Sequence, residues 1–223
     1  MKQQNILSAA LRDFNKIDSS NALKLFTSYY QELLIWNKKI NLISRKNEDQ
    51  IVTRHFLESM GFIKAIDFPC QARVMDLGSG AGLPGIPIAI IRPDLNLLLV
   101  EAKKKKVEFL RNISRKLGLK NIQIINKRVE EIDDEIKPMD VIVCRSVASL
   151  SKLYKWSHRC LKPSHGRLIT IKGEQYHREL HLLLKQAGSD TKIEYKIEPY
   201  NPFPGFYSIR KCYLVIIKVG QIK

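Results

Sequence analysis

From Val74 to Gly85 the chain reads V-M-D-L-G-S-G-A-G-L-P-G, a short apolar run that ends at Asp76 and passes into a turn built on Gly78, Ser79, Gly80 and Gly82. Glycines let a backbone approach a ligand closely, and a helix beginning around Pro84 to Pro87 would present free N–H groups to it. Proline is tolerated in that first turn because its missing N–H had no partner there. Glu101 ends the next apolar run, 19 residues after Gly82. At that distance a second strand returns to the same crevice, where a carboxylate can accept from both hydroxyls of a ribose. Arg128-Val129-Glu130-Glu131 follows a third run, where backbone N–H and a side-chain acceptor can meet an adenine edge. A fourth run ends at Arg145, facing the cleft, and a fifth at Lys172-Gly173. Singly, each also fits a plainer part: a tight turn, a strand-end acid, a helix cap. The glycine spacing separates this turn from a dinucleotide fingerprint, because Leu83 stands where G-x-G-x-x-G needs its third glycine.

These residues need a scaffold that brings strand ends together. β-rich runs at Val74–Leu77, Leu95–Glu101, Ile122–Asn126, Val141–Cys144 and Leu168–Lys172 alternate with helical segments near Ile86–Ile91, Lys103–Leu117, Ala148–Leu161 and Gln175–Ala187. Gly118 and Gly188 sit where helix C-caps belong. Alternation of this kind predicts βαβ units and a mostly parallel sheet with helices on both faces. Beyond Gly188, Ile193–Ile197 and Tyr213–Val219 flank the turn-rich Y-N-P-F-P-G-F-Y-S and predict a closing hairpin that adds an antiparallel edge. Upstream, apolar pairs recur every four residues from Leu25/Phe26 to Leu33/Leu34, a helix running to about Lys38 with Ser19, Ser20 or Asn21 as N-cap. Ile51–Ile66 predicts another. The expected organisation is a helical cap, residues 1–65, on one α/β domain, residues 66–223.

Composition narrows the partners. The 223 residues carry 38 Lys and Arg against 22 Asp and Glu, a net charge of +16 shared by both parts of the chain. Such a field captures polyanions, nucleic acid first. With no apolar run near 20 residues and no signal-like N-terminus, a soluble cytoplasmic protein without a membrane partner is expected. Cys70, Cys144, Cys160 and Cys212 form no CxxC pair, which fits reduced thiols. His177 and His181 could share a helix face, but a metal site wants more ligands, and none is expected.

D-L-G-S-G-A-G-L-P-G-I-P-I-A, the later R-V-E-E, and D-V-I-V-C-R-S-V-A-S-L together resemble the bacterial 16S ribosomal RNA guanine-N7 methyltransferases, the glucose-inhibited division protein B family of class I S-adenosylmethionine-dependent enzymes. W-N-K-K-I-N-L at Trp36–Leu42 and R-H-F-L-E-S at Arg54–Ser59 resemble the same family's cap. The resemblance runs from about Tyr30 to Lys218. It implies a Rossmann-like class I methyltransferase sheet and S-adenosylmethionine contacts at Gly78, Leu83, Val129, Glu130 and Arg145. Asp76 and Glu101 join them from the argument on strand ends, and Ser79, Gly80 and Gly82 from the turn. Where the family usually has R-A-V-A or R-A-F-A, this chain has Arg145-Ser146-Val147-Ala148. The implied partner is 16S rRNA or the small ribosomal subunit, with the enzyme a monomer. Lys103 and Lys104, in a basic run at a helix start, and Lys172, Arg210 and Lys211 are the candidate RNA contacts. Two rival classes are a nicotinamide-dependent dehydrogenase, which lacks its third glycine and a proton relay, and an RNA-binding protein on a disused methyltransferase fold.

The missing motifs narrow the reaction. No [ND]-P-P-[YFW] segment follows the fourth strand to hold an exocyclic amine, and Cys144 falls within an apolar strand end where a cytosine-C5 nucleophile is not expected. Guanine N7 needs neither, nor a general base, because it attacks with a ring lone pair. The expected methyl-transfer rate is nearly flat from pH 6 to about 8.5.

Overall fold

The computed structural model describes residues 2–132, 136, 138–163, 165–187, 193–206 and 211–219. Seven strands form one sheet in the order β3-β2-β1-β4-β5-β7-β6: β1 Arg73–Leu77, β2 Asn96–Val100, β3 Ile122–Ile125, β4 Val141–Arg145, β5 Arg167–Gly173, β6 Ile193–Pro199 and β7 Cys212–Val219. β1 to β5 run parallel, while β7 pairs antiparallel with β5 and β6 with β7. The chain steps outward from β1 to β3 and then returns to place β4 on the other side of β1. Between the carboxyl ends of β1 and β4 the connections diverge, which leaves a crevice there.

Strand alternation sorts the side chains. Val74, Leu97, Val141, Val143, Ile169 and Leu214 face one layer, with Phe62, Ile88 and Ala89 packed on them. Met75, Leu77, Leu98, Ile142, Cys144 and Leu168 face the other, under Leu150, Leu153, Leu180 and Leu183. The covering helices are α4 Gly85–Ile91, α5 Lys104–Lys116, α6 Leu150–Ser157 and α7 Tyr176–Ala187, following α1 Lys2–Leu11, α2 Ser19–Asn37 and α3 Glu58–Ala65 of the N-terminal segment. A third cluster joins that segment to the sheet domain: Leu7, Phe26, Tyr29, Leu33 and Phe56 pack in one core with Ile86, Phe109 and Leu110.

Several local expectations change. α1 has no counterpart in the sequence reading. The N-cap of α2 is Asp18, whose carboxylate accepts from the N–H groups of Ser20 and Asn21 at 3.0 Å each. A carboxylate reaches two orphan donors at once, and none of the three residues after it needs to cap. Ile51–Ile66 is not one α-helix: Val52–Leu57 winds as a wider π-helical turn before α3 begins. The segment at Ala148–Leu161 starts its helix at Leu150 and ends in a 3-10 turn, His158–Cys160. Gly118 takes φ +64 directly after the C-cap of α5, as expected; Gly188 lies outside the described residues.

Glu32 ties α2 to α5. It is buried, and its carboxylate accepts from Trp36 Nε1 at 3.2 Å, Asn112 Nδ2 at 3.1 Å and Lys116 Nζ at 2.6 Å. Removing it takes the acceptor from the half-buried donors of Trp36 and Asn112 and from the exposed Lys116, at a cost of about 2 kcal/mol. Glu32→Ala is expected to lower the melting temperature by about 4–8 °C, read by calorimetry, since a chain of this size shifts by about 2–4 °C per kcal/mol. An unchanged Tm would show that the junction is wet and contributes nothing.

Candidate active site

The glycine turn after β1 is fixed from three sides. Gly78 and Ser79 both donate to the carbonyl of Val100, at 2.9 and 3.0 Å, which lays the turn across the end of β2. Gly80 N–H donates to Glu101 Oε2 at 2.9 Å, and Lys103 N–H to Glu101 Oε1 at 2.8 Å. Tyr29, fully buried in α2, donates its hydroxyl to the carbonyl of Ala81 at 2.5 Å. Geometry requires glycine at several of these positions, Gly78 and Gly85 among them. Gly78 sits at φ +75 with Val147 methyls 3.0 and 3.1 Å from where a Cβ would lie. At Gly85 a Cβ would fall 2.7 Å from Asp76 Oδ2, the atom that accepts this glycine's N–H at 2.9 Å.

Around the turn opens a cleft of about 740 Å³, within the range that takes a nucleoside-sized ligand. Gly78, Ser79, Gly80, Leu83, Glu101, Val129, Glu130 and Arg145 line it, together with Lys103. Asp76 and Gly82 do not reach it. Asp76 is entirely buried beneath the turn, where strand alternation directs it toward α4, and Gly82 backs onto Ile86 and Leu110. Sequence reasoning missed His55, Ile43 and Trp156, which also line the cleft, as does Lys106 from the same basic run as Lys103. Their elements are distant in the chain; the resemblance of Trp36–Leu42 and Arg54–Ser59 to a family's cap lay beside Ile43 and His55, and nothing pointed toward Trp156.

The candidate RNA contacts separate. Lys103 borders the cleft and Lys104 is exposed beside it. Lys172 is not free to bind phosphate: its ammonium donates to the Ala148 carbonyl at 2.5 Å and pairs with Glu179 at 2.9 Å, with little of the side chain exposed. A cation so neutralised adds little field outside the protein. Lys211 is exposed, 3.8 Å from Glu174. Arg210 lies outside the described residues.

Arg145 gathers the far wall. One guanidinium nitrogen donates to Glu58 Oε2 at 2.7 Å and to the carbonyls of Arg54 and His55 at 3.3 and 3.4 Å; the other contacts His55 Nδ1 at 2.8 Å. The two carbonyls come from the π-helical turn. Because a guanidinium only donates, His55 Nδ1 must accept and the ring proton sits on Nε2. Burial, then the charges of Arg145 and Arg54, push the His55 pKa down to about 3. The imidazole is therefore neutral at any working pH. Burial likewise pushes the Cys144 thiol up to about 12, a packed strand residue and not a nucleophile. Among the described residues no cluster of three potential metal ligands occurs, and no described helix is long and apolar enough to cross a membrane.

The strand order, the antiparallel edge and a cleft where a glycine turn meets a strand-end acid define a class I methyltransferase. Solved structures agree: a glycopeptide N-methyltransferase, MtfA, complexed with S-adenosyl-L-methionine (TM-score 0.60, 11% identity, 74% of this chain and 94% of that one) and a SAM-dependent methyltransferase from Aquifex aeolicus (TM-score 0.55, 18%, 78% and 98%). At these identities the likeness is one of fold. Residues 22–201 match the family described as rRNA small subunit methyltransferase G, GidB. Proteins named ribosomal RNA small subunit methyltransferase G are similar, one from Desulforamulus reducens at 38% identity over 73% of this chain and 68% of that protein. Another, from Shigella flexneri, is 32% identical over 98% and 99%. The chain belongs to the rRNA small subunit methyltransferase G family.

Asp76 supplies a test of the site's foundation. Its Oδ1 has no partner, and desolvation raises its pKa to about 7 against the opposing Gly85 and Ser79 hydrogen bonds. The folded state thus holds this proton more tightly than the unfolded chain, whose carboxylate titrates near 3.8. Stability from this group is full below pH 3.8 and is lost as pH rises through 7. His55 acts with the opposite sign, losing stability as pH falls from 6.5 toward 3. Asp76→Asn, which keeps an acceptor for Gly85, is expected to gain on the wild type by on the order of 2 kcal/mol between pH 5 and 8 in urea denaturation. A pH-independent difference would mean that Asp76 stays ionised.

Proposed function

We propose that this chain transfers the methyl group of S-adenosylmethionine to N7 of a guanine in the 16S rRNA of the small ribosomal subunit. Family membership supports the substrate. The observation that carries the cofactor is Glu101: it lines the cleft, and each carboxylate oxygen accepts one backbone N–H and has capacity for a further donor, the acceptor arrangement that a pair of ribose hydroxyls needs. Val129 and Glu130 then flank the adenine, with Trp156 offering a ring face, and the glycine turn runs beneath the amino-acid portion. When bound, the cofactor supplies an electrophilic sulfonium methyl.

The groups near the mouth of the cleft favour a nucleophile that brings its own lone pair. His55 cannot take a proton, since one ring nitrogen accepts from Arg145 and the other carries hydrogen. Guanine N7 has no proton to lose: its lone pair forms the new N–CH₃ bond, the S–CH₃ electrons return to sulfur, and the positive charge passes from sulfonium to ring. Arg145 does not oppose that charge strongly, because Glu58 neutralises it at 2.7 Å. Catalysis is then a matter of holding N7 in line with the methyl group. A-form duplex buries N7 in its narrow major groove, so the target lies in a loop or opened junction.

Labelled methyl transfer to small-subunit particles, followed by nucleoside analysis, is expected to yield 7-methylguanosine; a different methylated nucleoside would overturn the proposal. The transfer step is expected to stay nearly flat from pH 6 to about 8.5. By calorimetry, Glu101→Ala should weaken S-adenosylmethionine binding about 10–100-fold, the 1–3 kcal/mol of hydrogen bonds to a charged group. Unchanged affinity would put the ribose elsewhere.

A further inference from the structure

A second cleft, of about 800 Å³, adjoins the first and is lined by residues 37–46 and Lys106. The two share Leu42, Ile43, Ser44 and Lys106, so one leads into the other. Its rim carries the exposed side chains of Lys38, Lys39, Arg45 and Lys46. Lys106 stands at the junction, its ammonium 3.8 Å from where a Cβ on Gly80 would lie. None of these five cations forms an ion pair among the described residues. Glu48 and Asp49 share the turn of Arg45 and Lys46, but Glu48 accepts from Asn37 Nδ2 at 2.6 Å.

The loop is held rigid from beneath. Asn37, buried at the end of α2, accepts from the N–H groups of Leu42 at 2.9 Å and Ile43 at 3.0 Å, and both of those side chains are buried in the core that the cap shares with α4 and α5. Lys38 and Lys39 complement the C-terminal dipole of α2 and have a structural reason to be there; Arg45 and Lys46 open a helical turn, where a cation is disfavoured. Four cations on a preordered loop, with Lys106 beside them on α5, pay little ordering entropy when a polyanion docks.

We propose that this groove binds the RNA strand running out from the methylated nucleotide, its phosphates seated on Lys38, Lys39, Arg45 and Lys46 and led past Lys106 to the reaction cleft. The proposal rests on the reading of rRNA as substrate and assigns the main RNA surface to the helical cap, not to the Lys172 side of the sheet. Each phosphate contact on a single strand releases counterions worth about 0.7 in the slope of log affinity against log salt.

The test is a variant carrying Lys38→Ala, Lys39→Ala, Arg45→Ala and Lys46→Ala, with Lys106 retained because it also borders the cofactor cleft. A control removes the same charge elsewhere through Arg178→Ala, Lys185→Ala, Lys196→Ala and Lys218→Ala. Filter retention of protein-free small-subunit rRNA is expected to weaken about 10–100-fold at low salt for the groove variant, its salt slope flatter by about two to three units. The control should change by less than half a unit. In methyl transfer the groove variant should raise KM while kcat at saturating RNA stays within about threefold, and calorimetry should show unaltered S-adenosylmethionine affinity. An unaltered salt slope overturns the groove, as does an effect matched by the control. So does a loss confined to assembled particles, which would make the partner an acidic protein surface. A wild type that binds rRNA with the groove-dependent slope yet methylates nothing would defeat the proposed function and leave the groove standing.

Discussion

The carboxylate of Glu101 organises this structure more than any other group. By accepting from Gly80 on one oxygen and Lys103 on the other, it joins the turn after β1 to the loop that opens α5. Both donors are backbone N–H groups that would otherwise lie unpaired at a strand end, so the acid satisfies the fold before any ligand arrives. Charge-assisted bonds of this kind are short and directional. The same side chain lines the cleft, so the acid that orders the turn also borders the space beside it.

Two further ties carry that order outward. Tyr29 reaches from α2 to the Ala81 carbonyl, and Arg145 reaches from β4 to the π-helical turn of the cap. Each joins residues far apart in sequence, and each lands on backbone. The cap is thus part of the wall, and Glu58 turns a strong point charge into a nearly neutral cluster to which the uncharged His55 adds an acceptor. Such a cluster opposes a nearby cation less than an isolated guanidinium would.

The sheet was legible in the sequence because alternation of buried strands and amphipathic helices is a strong periodic signal, and seven strands and four helices fall within a few residues of their expected places. Glu101, Gly80 and Arg145 were legible because strand ends in a parallel sheet converge by topology alone. Asp76 was found for a reason that misplaced it: the spacing marks a strand-end acid, but only the pleat decides that its side chain points under the turn to Gly85. Lys172 looked like a surface cation until α7 brought Glu179 to it. His55 and Trp156 carry no local pattern, since their role arises from tertiary packing. The π-helical turn was invisible as well, because nothing in Val52–Leu57 distinguishes it from an α-helix except the guanidinium that draws on its carbonyls.

The shared core of cap and sheet has a consequence for how the chain is made. Phe26, Tyr29 and Phe56 emerge from the ribosome first, yet the surfaces that cover them, on α4 and α5, are synthesised some thirty to eighty residues later. Domains generally condense as units during synthesis, and here the earliest helices have no complete unit to join until about Leu117 has left the exit tunnel. Until then their aromatic faces are open to other nascent chains. Slow or stalled translation within this interval should therefore lead to aggregation more readily than the same pause placed later, in the strands that merely extend the sheet.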